Sequence, residues 1–144
     1  MIFAREEFTE EIFPLWQAHW QETEMFRHGH ELKPDVARYK QFTEIGFYQL
    51  YTARENGVLV GNAGMYVTVS MHECTKQAIE DTWFLLPEYR KGRNALRFLE
   101  YVENSLRDQG VKDVYMTTKH ANGAGRILEF CGYKSVATQF WKEL

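Results

Sequence analysis

A tight turn between two long apolar runs constrains the fold of this chain more than any other feature of its sequence. Glu55, Asn56 and Gly57 separate residues 47–53 from residues 58–70, and both runs are rich in Tyr, Val, Thr and Leu. An Asn-Gly pair favours the positive φ angles that a short hairpin turn requires, and the flanking side chains are typical of strands. The pattern therefore predicts two neighbouring antiparallel strands in the middle of the chain.

Strands and helices alternate in the second half of the sequence. Pro87 ends an apolar run, because proline cannot donate to a strand ladder, and Gly110 ends a helical pattern that begins at Asn94. Such alternation indicates parallel strands, which need crossover connections. Besides the hairpin, the patterns predict strands at residues 2–5, 77–86, 113–118 and 133–141 and helices at residues 12–20, 35–44, 94–110 and 124–130.

These elements together define the fold class. Their order is β-α-α-β-β-β-α-β-α-β, which predicts an α/β (α+β) domain with a mixed central sheet flanked by helices on both faces. The length of 144 residues and the hydrophobic fraction of 44% fit one domain over residues 1–144. No Pro-, Ser- or Gly-rich linker and no internal repeat divides the sequence.

The charge balance argues against several classes of partner. The 17 Lys and Arg residues are outnumbered by 20 Asp and Glu residues, and a net charge of −3 does not favour nucleic-acid binding. No apolar stretch reaches membrane-spanning length and the first residues lack a leader pattern, so we expect a cytoplasmic protein without a membrane partner. Cys74 and Cys131 lack metal-ligand spacing and the pair His28 and His30 lacks a third ligand, so no metal site is expected. The composition is compatible with a homodimer.

A cationic turn links the strand predicted at residues 77–86 to the helix predicted after it. The turn contains Arg90, Lys91, Gly92 and Arg93. A glycine-containing turn that leads into a helix directs backbone N–H groups and the positive end of the helix dipole toward one point, which suits a pyrophosphate. The alternative is a solvated turn whose basic side chains face water.

The residues around this turn resemble a known family. The pattern Leu85-x-Pro87-x-Tyr89-Arg90-x-Gly92-Arg93-x-Ala95 is followed by a helix, a strand and then Ala124-x-x-x-Leu128-Glu129-x-Cys131-Gly132-Tyr133. Together they are similar to the GNAT superfamily of acyl-CoA N-acyltransferases, and the turn also resembles that of small acetyltransferases encoded by bacteriophages. The resemblance implies an N-acetyltransferase that uses acetyl-CoA as co-substrate and a small-molecule or peptide amine as acceptor, in a ternary complex.

The resemblance also implies where the co-substrate binds. The backbone of Leu85 and Leu86 is expected to hold the pantetheine arm, and Asn122 is expected near its thiol end. In the family's pattern a glycine stands at the position of Arg93, whose side chain here either crowds the pyrophosphate or binds it. The residues expected around the pyrophosphate are Arg90, Lys91, Gly92, Arg93, Asn94 and Ala95.

Two neighbouring carboxylates precede Leu85 on the same strand, and acyl transfer needs a base that takes a proton from the amine. Strand alternation places Asp81 on one face with Trp83 and Leu85, and Glu80 on the opposite face. Relatives in the resembled family often carry an acidic residue four positions before Leu85. Asp81 is therefore the first candidate for the base or amine anchor, and Glu80 is the second. The alternative is that both carboxylates merely solvate the strand.

The general acid has no obvious candidate at the usual position. Relatives often carry a tyrosine four residues before the glycine-aromatic pair that ends the last helix, and Leu128 occupies that position here. Tyr133 is the catalytic candidate, with Tyr115 and His120 as alternatives. The absent tyrosine and Arg93 favour a second interpretation, in which a catalytically weak GNAT-like domain binds a protein partner.

The resemblance places the acceptor between the first two helices and against the sheet. Glu24, Phe26 and His28 lie in the connection between those helices, and Tyr66 and Trp83 lie on the strands beside it. These five residues are the candidate acceptor wall. The sequence leaves the identity of the amine open, because acceptor specificity in such folds depends on variable segments.

Overall fold

The computed structural model describes residues 1–24 and 29–144. The sheet in these residues has five strands, β1 (Ile2–Glu6), β2 (Tyr48–Glu55), β3 (Val58–Val69), β4 (Lys76–Leu85) and β5 (Asp113–Tyr115). Their order in space is their order in the chain. The first four pair antiparallel, and β5 pairs parallel to β4. The expected mixed sheet is confirmed.

The predicted hairpin is present between β2 and β3. Glu55 pairs with Val58, and the two residues between them, Asn56 and Gly57, have φ angles of 50° and 81°. Both central positions of the turn therefore lie in the left-handed region, which asparagine and glycine tolerate and which matches the twist of the flanking strands.

Four helices accompany the sheet: α1 (Phe13–Thr23), α2 (Val36–Glu44), α3 (Asn94–Asp108) and α4 (Ala124–Phe130). Side-chain caps precede α1 and begin α2. Thr9 Oγ1 accepts from the Glu11 N–H at 3.3 Å in a short 3-10 turn that leads into α1, and Asp35 Oδ1 accepts from the Arg38 N–H at 3.0 Å at the start of α2. No helix in the described ranges is long and apolar enough to cross a membrane.

Helices cover both faces of the sheet, as the sequence predicts, and each face has its own core. Helix α3 buries the apolar stripe of Phe98, Val102 and Leu106 against one face, and each such side chain stabilises the fold by about 1.5–3 kcal/mol. We call this cluster the α3 core. The opposite face carries the aromatic core, in which α1 and α2 cover β2 and β3 with Ile12, Trp16, Tyr48 and Leu50 at its centre and Phe8, Tyr39, Phe42 and Tyr66 packed around them.

A bulge interrupts the pairing of β3 with β4 at Asp81. Gly64 pairs with Thr82 but the next residue, Met65, pairs with Glu80, so Asp81 is an extra residue on β4. The predicted alternation is therefore wrong at this point. Trp83 packs against the α3 core, whereas Asp81 receives a hydrogen bond from Tyr39 of the aromatic core.

The end of the chain differs from the prediction. Strand β5 stops at Tyr115 instead of residue 118, and in the described part of the chain no strand follows α4, although one was predicted at 133–141. A strand needs a partner ladder and a face to bury. The short β5 offers a ladder of three residues, and Val136 and Phe140 after α4 remain 77% and 90% exposed.

Gly64 makes room for the ring of Tyr48 in the aromatic core. A Cβ at position 64 would overlap the Tyr48 hydroxyl and would approach its ring carbons within 2.6 Å. We expect Gly64→Ala to lower the free energy of unfolding by about 2 kcal/mol through overpacking. Urea denaturation measures this, with Gly125→Ala as the matched control, because the nearest atom to its Cβ would be 3.5 Å away. Equal stabilities of the two variants would contradict the packing described.

Candidate active site

A cleft of about 220 Å³ opens between the end of β4 and the beginning of α4. It exists because the parallel ladder between β4 and β5 ends at the pair Ile79 and Tyr115. Beyond that pair, the edge of β4 that faces β5 has no strand partner among the described residues. The cleft is lined by His19, Glu22, Trp83, Phe84, Leu85, Arg90, Ala95, Asn122, Gly123, Ala124 and Ile127.

Four of the residues predicted to bind the co-substrate line this cleft: Leu85, Arg90, Ala95 and Asn122. Three elements bring them together, because Leu85 ends β4, Ala95 lies in the first turn of α3 and Asn122 precedes α4. Asn122 Oδ1 accepts from the Ala124 N–H at 3.3 Å, which fixes its side chain at the start of that helix.

The other predicted residues lie on the turn before α3, outside the lining of the cleft. Lys91, Gly92 and Arg93 are exposed, and the φ of 61° at Gly92 is one that glycine adopts without strain. Arg93 stands at the N-cap of α3 and its side chain makes no capping hydrogen bond. Asn94 donates from its side chain to the Tyr89 carbonyl at 3.0 Å and closes the turn. Leu86, the remaining one, packs at the edge of the α3 core.

Arg90 is held by the protein itself. Its Nη1 and Nη2 donate to the Glu22 carboxylate at 3.1 and 2.7 Å, and its Nε donates to the Leu85 carbonyl at 2.8 Å. The guanidinium also lies 5.1 Å from the centre of the Phe84 ring. These contacts join the end of α1, the end of β4 and the cationic turn.

Glu80 lies where β4 and β5 part, outside the lining of the cleft. Its Oε2 accepts from the Thr117 N–H at 3.2 Å, just beyond the end of β5. Burial raises the pKa of Glu80 to about 7, the Thr117 N–H lowers it, and the neighbouring Asp81 carboxylate raises it further. A carboxyl group with this pKa is half ionised near neutral pH, as a general base for an amine requires.

Asp81 occupies a different environment. Its Oδ2 accepts from the Tyr39 hydroxyl at 3.0 Å, and Tyr66 and Tyr48 also stabilise its charged form. Burial outweighs these three hydroxyls, so the pKa of Asp81 is raised. Asp81 is thus surrounded by the aromatic core and does not line the cleft, although the sequence ranks it ahead of Glu80 as base or anchor.

The candidate general acids also lie outside the lining of the cleft. The Tyr133 hydroxyl donates to Glu103 Oε1 of α3 at 2.7 Å, and burial together with that carboxylate raises its pKa. Tyr115 is 47% exposed and His120 is exposed as well. Leu128, at the position where relatives often carry a tyrosine, is 6% exposed.

The predicted acceptor wall is only partly assembled in the described structure. Trp83 lines the cleft, Glu24 forms an ion pair with Lys119 at 3.3 Å, and Tyr66 packs in the aromatic core. Phe26 and His28 lie outside the described residues. Among the residues that are described, no group of three His, Cys, Asp or Glu side chains could hold a metal ion.

Sequence reasoning missed the contribution of α1 to the cleft. His19 stacks on Phe84 with ring centres 5.0 Å apart, and burial lowers its pKa. Glu22 follows three residues later on the same face of α1. The three-residue spacing of His19 and Glu22 is the sequence signal that indicates a polar face on α1. The neighbouring Trp16 and Trp20 obscure this signal, because they mark the helix as a core element.

The sequence profile of the acetyltransferase (GNAT) family matches residues 6–133 of this chain. Among curated proteins no sequence matches it.

Three solved structures illustrate the likeness of fold. A ribosomal-protein-alanine N-acetyltransferase from Brucella melitensis has a TM-score of 0.76 at 14% identity, with all of both chains covered. An aminoglycoside acetyltransferase from an uncultured soil metagenomic sample, in complex with sisomicin, has a TM-score of 0.72 at 11% identity, covering 99% of this chain and 95% of the other. Glucosamine-6-phosphate N-acetyltransferase from Arabidopsis thaliana has a TM-score of 0.69 at 11% identity, with 99% of each chain covered.

The environment of Glu80 predicts a pH-dependent stability. Its pKa is about 7 in the folded protein against an ordinary 4.5, so the folded state resists its ionisation. The stability present below pH 4.5 is therefore lost as the pH rises through about 7. We expect Glu80→Gln to raise the free energy of unfolding by about 2 kcal/mol at pH 8 and to change it little at pH 4.

Denaturant unfolding at the two pH values measures this difference. Glu88→Gln is the matched control, because Glu88 is an exposed carboxylate on the turn after β4, and we expect it to show no such pH dependence. A Glu80→Gln effect of the same size at both pH values would contradict the burial of an ionisable group at position 80.

Proposed function

Since the chain belongs to the acetyltransferase (GNAT) family, whose profile spans residues 6–133, we propose that it transfers an acetyl group from acetyl-CoA to a primary amine by direct transfer in a ternary complex. One observation carries this proposal. The edge of β4 is open beyond Ile79, and it has a carboxyl group of pKa about 7, Glu80, at one end and the cationic turn at the other.

The residues present fit the co-substrate. The unpaired edge of β4 near Leu85 and Leu86 offers backbone groups to the amides of a pantetheine arm. The exposed cations Lys91 and Arg93 stand at the N-terminus of α3, a helix of 15 residues whose dipole also favours a pyrophosphate. Asn94, Ala95 and the glycine at 92 complete that turn. When bound, acetyl-CoA supplies the thioester that the amine attacks.

Glu80 acts as the base in this proposal. Its carboxylate takes a proton from the ammonium form of the acceptor, and the free amine can then form the new C–N bond as the C–S bond breaks. The nitrogen gives its second proton to the sulfur, so the products are an amide and a thiol. Burial keeps the pKa of Glu80 high, the charge of Asp81 adds to this effect, and Asp81 does not itself contact the acceptor.

The acceptor in this proposal approaches past α1 and the connection after it. Trp83 lines the cleft beside the proposed reaction centre, and Glu24 stands at the end of α1 with its partner Lys119. Together with Tyr66, Phe26 and His28, they remain the candidate acceptor wall. Relatives of the same fold are named for amines as different as aminoglycosides and glucosamine-6-phosphate, so we propose a primary amine of small-molecule or peptide type.

A second candidate is a weakly catalytic domain that binds a protein partner. It is favoured by the absence of any tyrosine from the lining of the cleft, as far as the described residues define it, and by the buried Leu128. Calorimetric titration with acetyl-CoA and a turnover assay over a panel of primary amines separate the two. Binding together with turnover supports the enzyme, binding without turnover supports the second candidate, and no binding at millimolar acetyl-CoA overturns the proposed enzyme.

The two β4 carboxylates are expected to behave differently in turnover. Glu80→Gln should lower kcat by about 10²–10³-fold, the usual contribution of a general base. In the wild type, kcat/KM should rise with pH to a plateau above about 7, because the ionised form of Glu80 is the active one.

Asp81→Asn is the matched variant for that test. It should keep kcat within about threefold and shift the rising limb of the pH profile to lower pH, since it removes the charge that raises the pKa of Glu80. The reverse ranking, with Asp81→Asn inactive and Glu80→Gln active in folded protein, would assign the base to Asp81.

A further inference from the structure

The contacts of Arg90 set it apart from the other cations of its turn. Three of its five N–H donors are already used, two by the Glu22 carboxylate and one by the Leu85 carbonyl. The side chain of Arg90 is 38% exposed and that of Glu22 is 29% exposed, so the pair is half-buried at the edge of the cleft. Lys91 and Arg93 are exposed as well, but within the described residues neither side chain makes a hydrogen bond or an ion pair.

The ion pair is part of one wall of the cleft, which is formed by the side chains of His19, Glu22, Phe84 and Arg90. The Arg90 guanidinium lies over one side of the Phe84 ring, and His19 of α1 also stacks on Phe84. Helix α1 therefore touches the end of β4 through His19 on Phe84 and the cationic turn through Glu22 on Arg90. All four side chains line the cleft, so this wall fixes its width on the α1 side.

We infer that Arg90, together with Glu22, is a positioning residue that holds α1 against the end of β4, and that it is not a direct ligand of the pyrophosphate. The inference rests on the proposed function, because it concerns acetyl-CoA in the same cleft. The inference assigns binding of the pyrophosphate to Lys91, Arg93 and the first turn of α3.

Charge and geometry both support this division of roles. A guanidinium already paired in a fork with a carboxylate presents no net positive charge to a second anion. Its Nε also fixes the carbonyl of Leu85, the last residue of β4, which lies where the co-substrate arm is proposed to bind. Arg90 therefore holds the proposed binding surface in place without contacting the ligand. Only an arginine can make these three hydrogen bonds at once.

Two substitutions separate a positioning role from a direct contact. If Arg90 binds the pyrophosphate, Glu22→Gln removes a competing anion and should tighten acetyl-CoA binding, and Arg90→Lys should keep most of the affinity. If Arg90 is a positioning residue, both variants should raise the Kd of acetyl-CoA by about tenfold, because each breaks the fork. The double variant should then be no weaker than either single one.

Calorimetric titration at several salt concentrations measures these effects on the full chain, alongside the melting temperature of each variant. Lys91→Gln and Arg93→Gln should reduce the salt dependence of binding, because they remove charges that face the anion, whereas Arg90→Lys and Glu22→Gln should leave the salt dependence unchanged. Glu88→Gln, which removes an exposed carboxylate from the same turn, is the matched control and should bind like the wild type.

Tighter binding by Glu22→Gln, or wild-type affinity in Arg90→Lys, would overturn the inference while leaving the proposed function intact. Failure of the wild type to bind acetyl-CoA would instead overturn the proposed function. If Glu22→Gln lowers the melting temperature, Arg90→Lys still decides, because the two hypotheses predict opposite outcomes for it.

Discussion

The parallel ladder between β4 and β5 stops after three residue pairs, and the site depends on that short ladder. A longer ladder would satisfy the edge of β4 with strand hydrogen bonds and would close the space between β4 and α4. Because the ladder ends at Ile79, Glu80 finds its partner in the Thr117 N–H beyond β5, and Trp83, Phe84 and Leu85 line the cleft. Helix α3, which follows the cationic turn, forms the crossover connection between the parallel strands β4 and β5.

The bulge at Asp81 gives two adjacent carboxylates different chemistry. Glu80 lies at the parting of the strands with one backbone donor, whereas Asp81 lies among the tyrosines of the aromatic core. Without the extra residue, β4 would alternate regularly and Asp81 would share a face with Trp83. The bulge thus allows one strand to carry both an ionisable group where β4 and β5 part and a polar anchor for α2.

Much of this arrangement follows from local sequence signals. The Asn56-Gly57 turn, the caps at Thr9 and Asp35 and the apolar stripe of α3 act over a few residues, so their prediction succeeds. The bulge, the contact of Glu22 with Arg90 and the lack of a strand after α4 in the described residues depend on residues far apart in the chain. Arg90 shows the difference best, because its residue type and motif indicate a phosphate ligand, and only the fold reveals a carboxylate 68 residues earlier in the sequence at hydrogen-bonding distance.

The extra residue in β4 also affects how this chain is compared with others. Aligning β4 with a strand that lacks the bulge requires a gap of one residue at Asp81. If the gap is omitted, residues 76–80 move by one position, and every side chain before the bulge is assigned to the wrong face of the sheet. Glu80 would then be matched with residues that face the aromatic core. Inferences about ancestry or function drawn from the alignment column of Glu80 would then compare side chains that lie on opposite faces of the sheet.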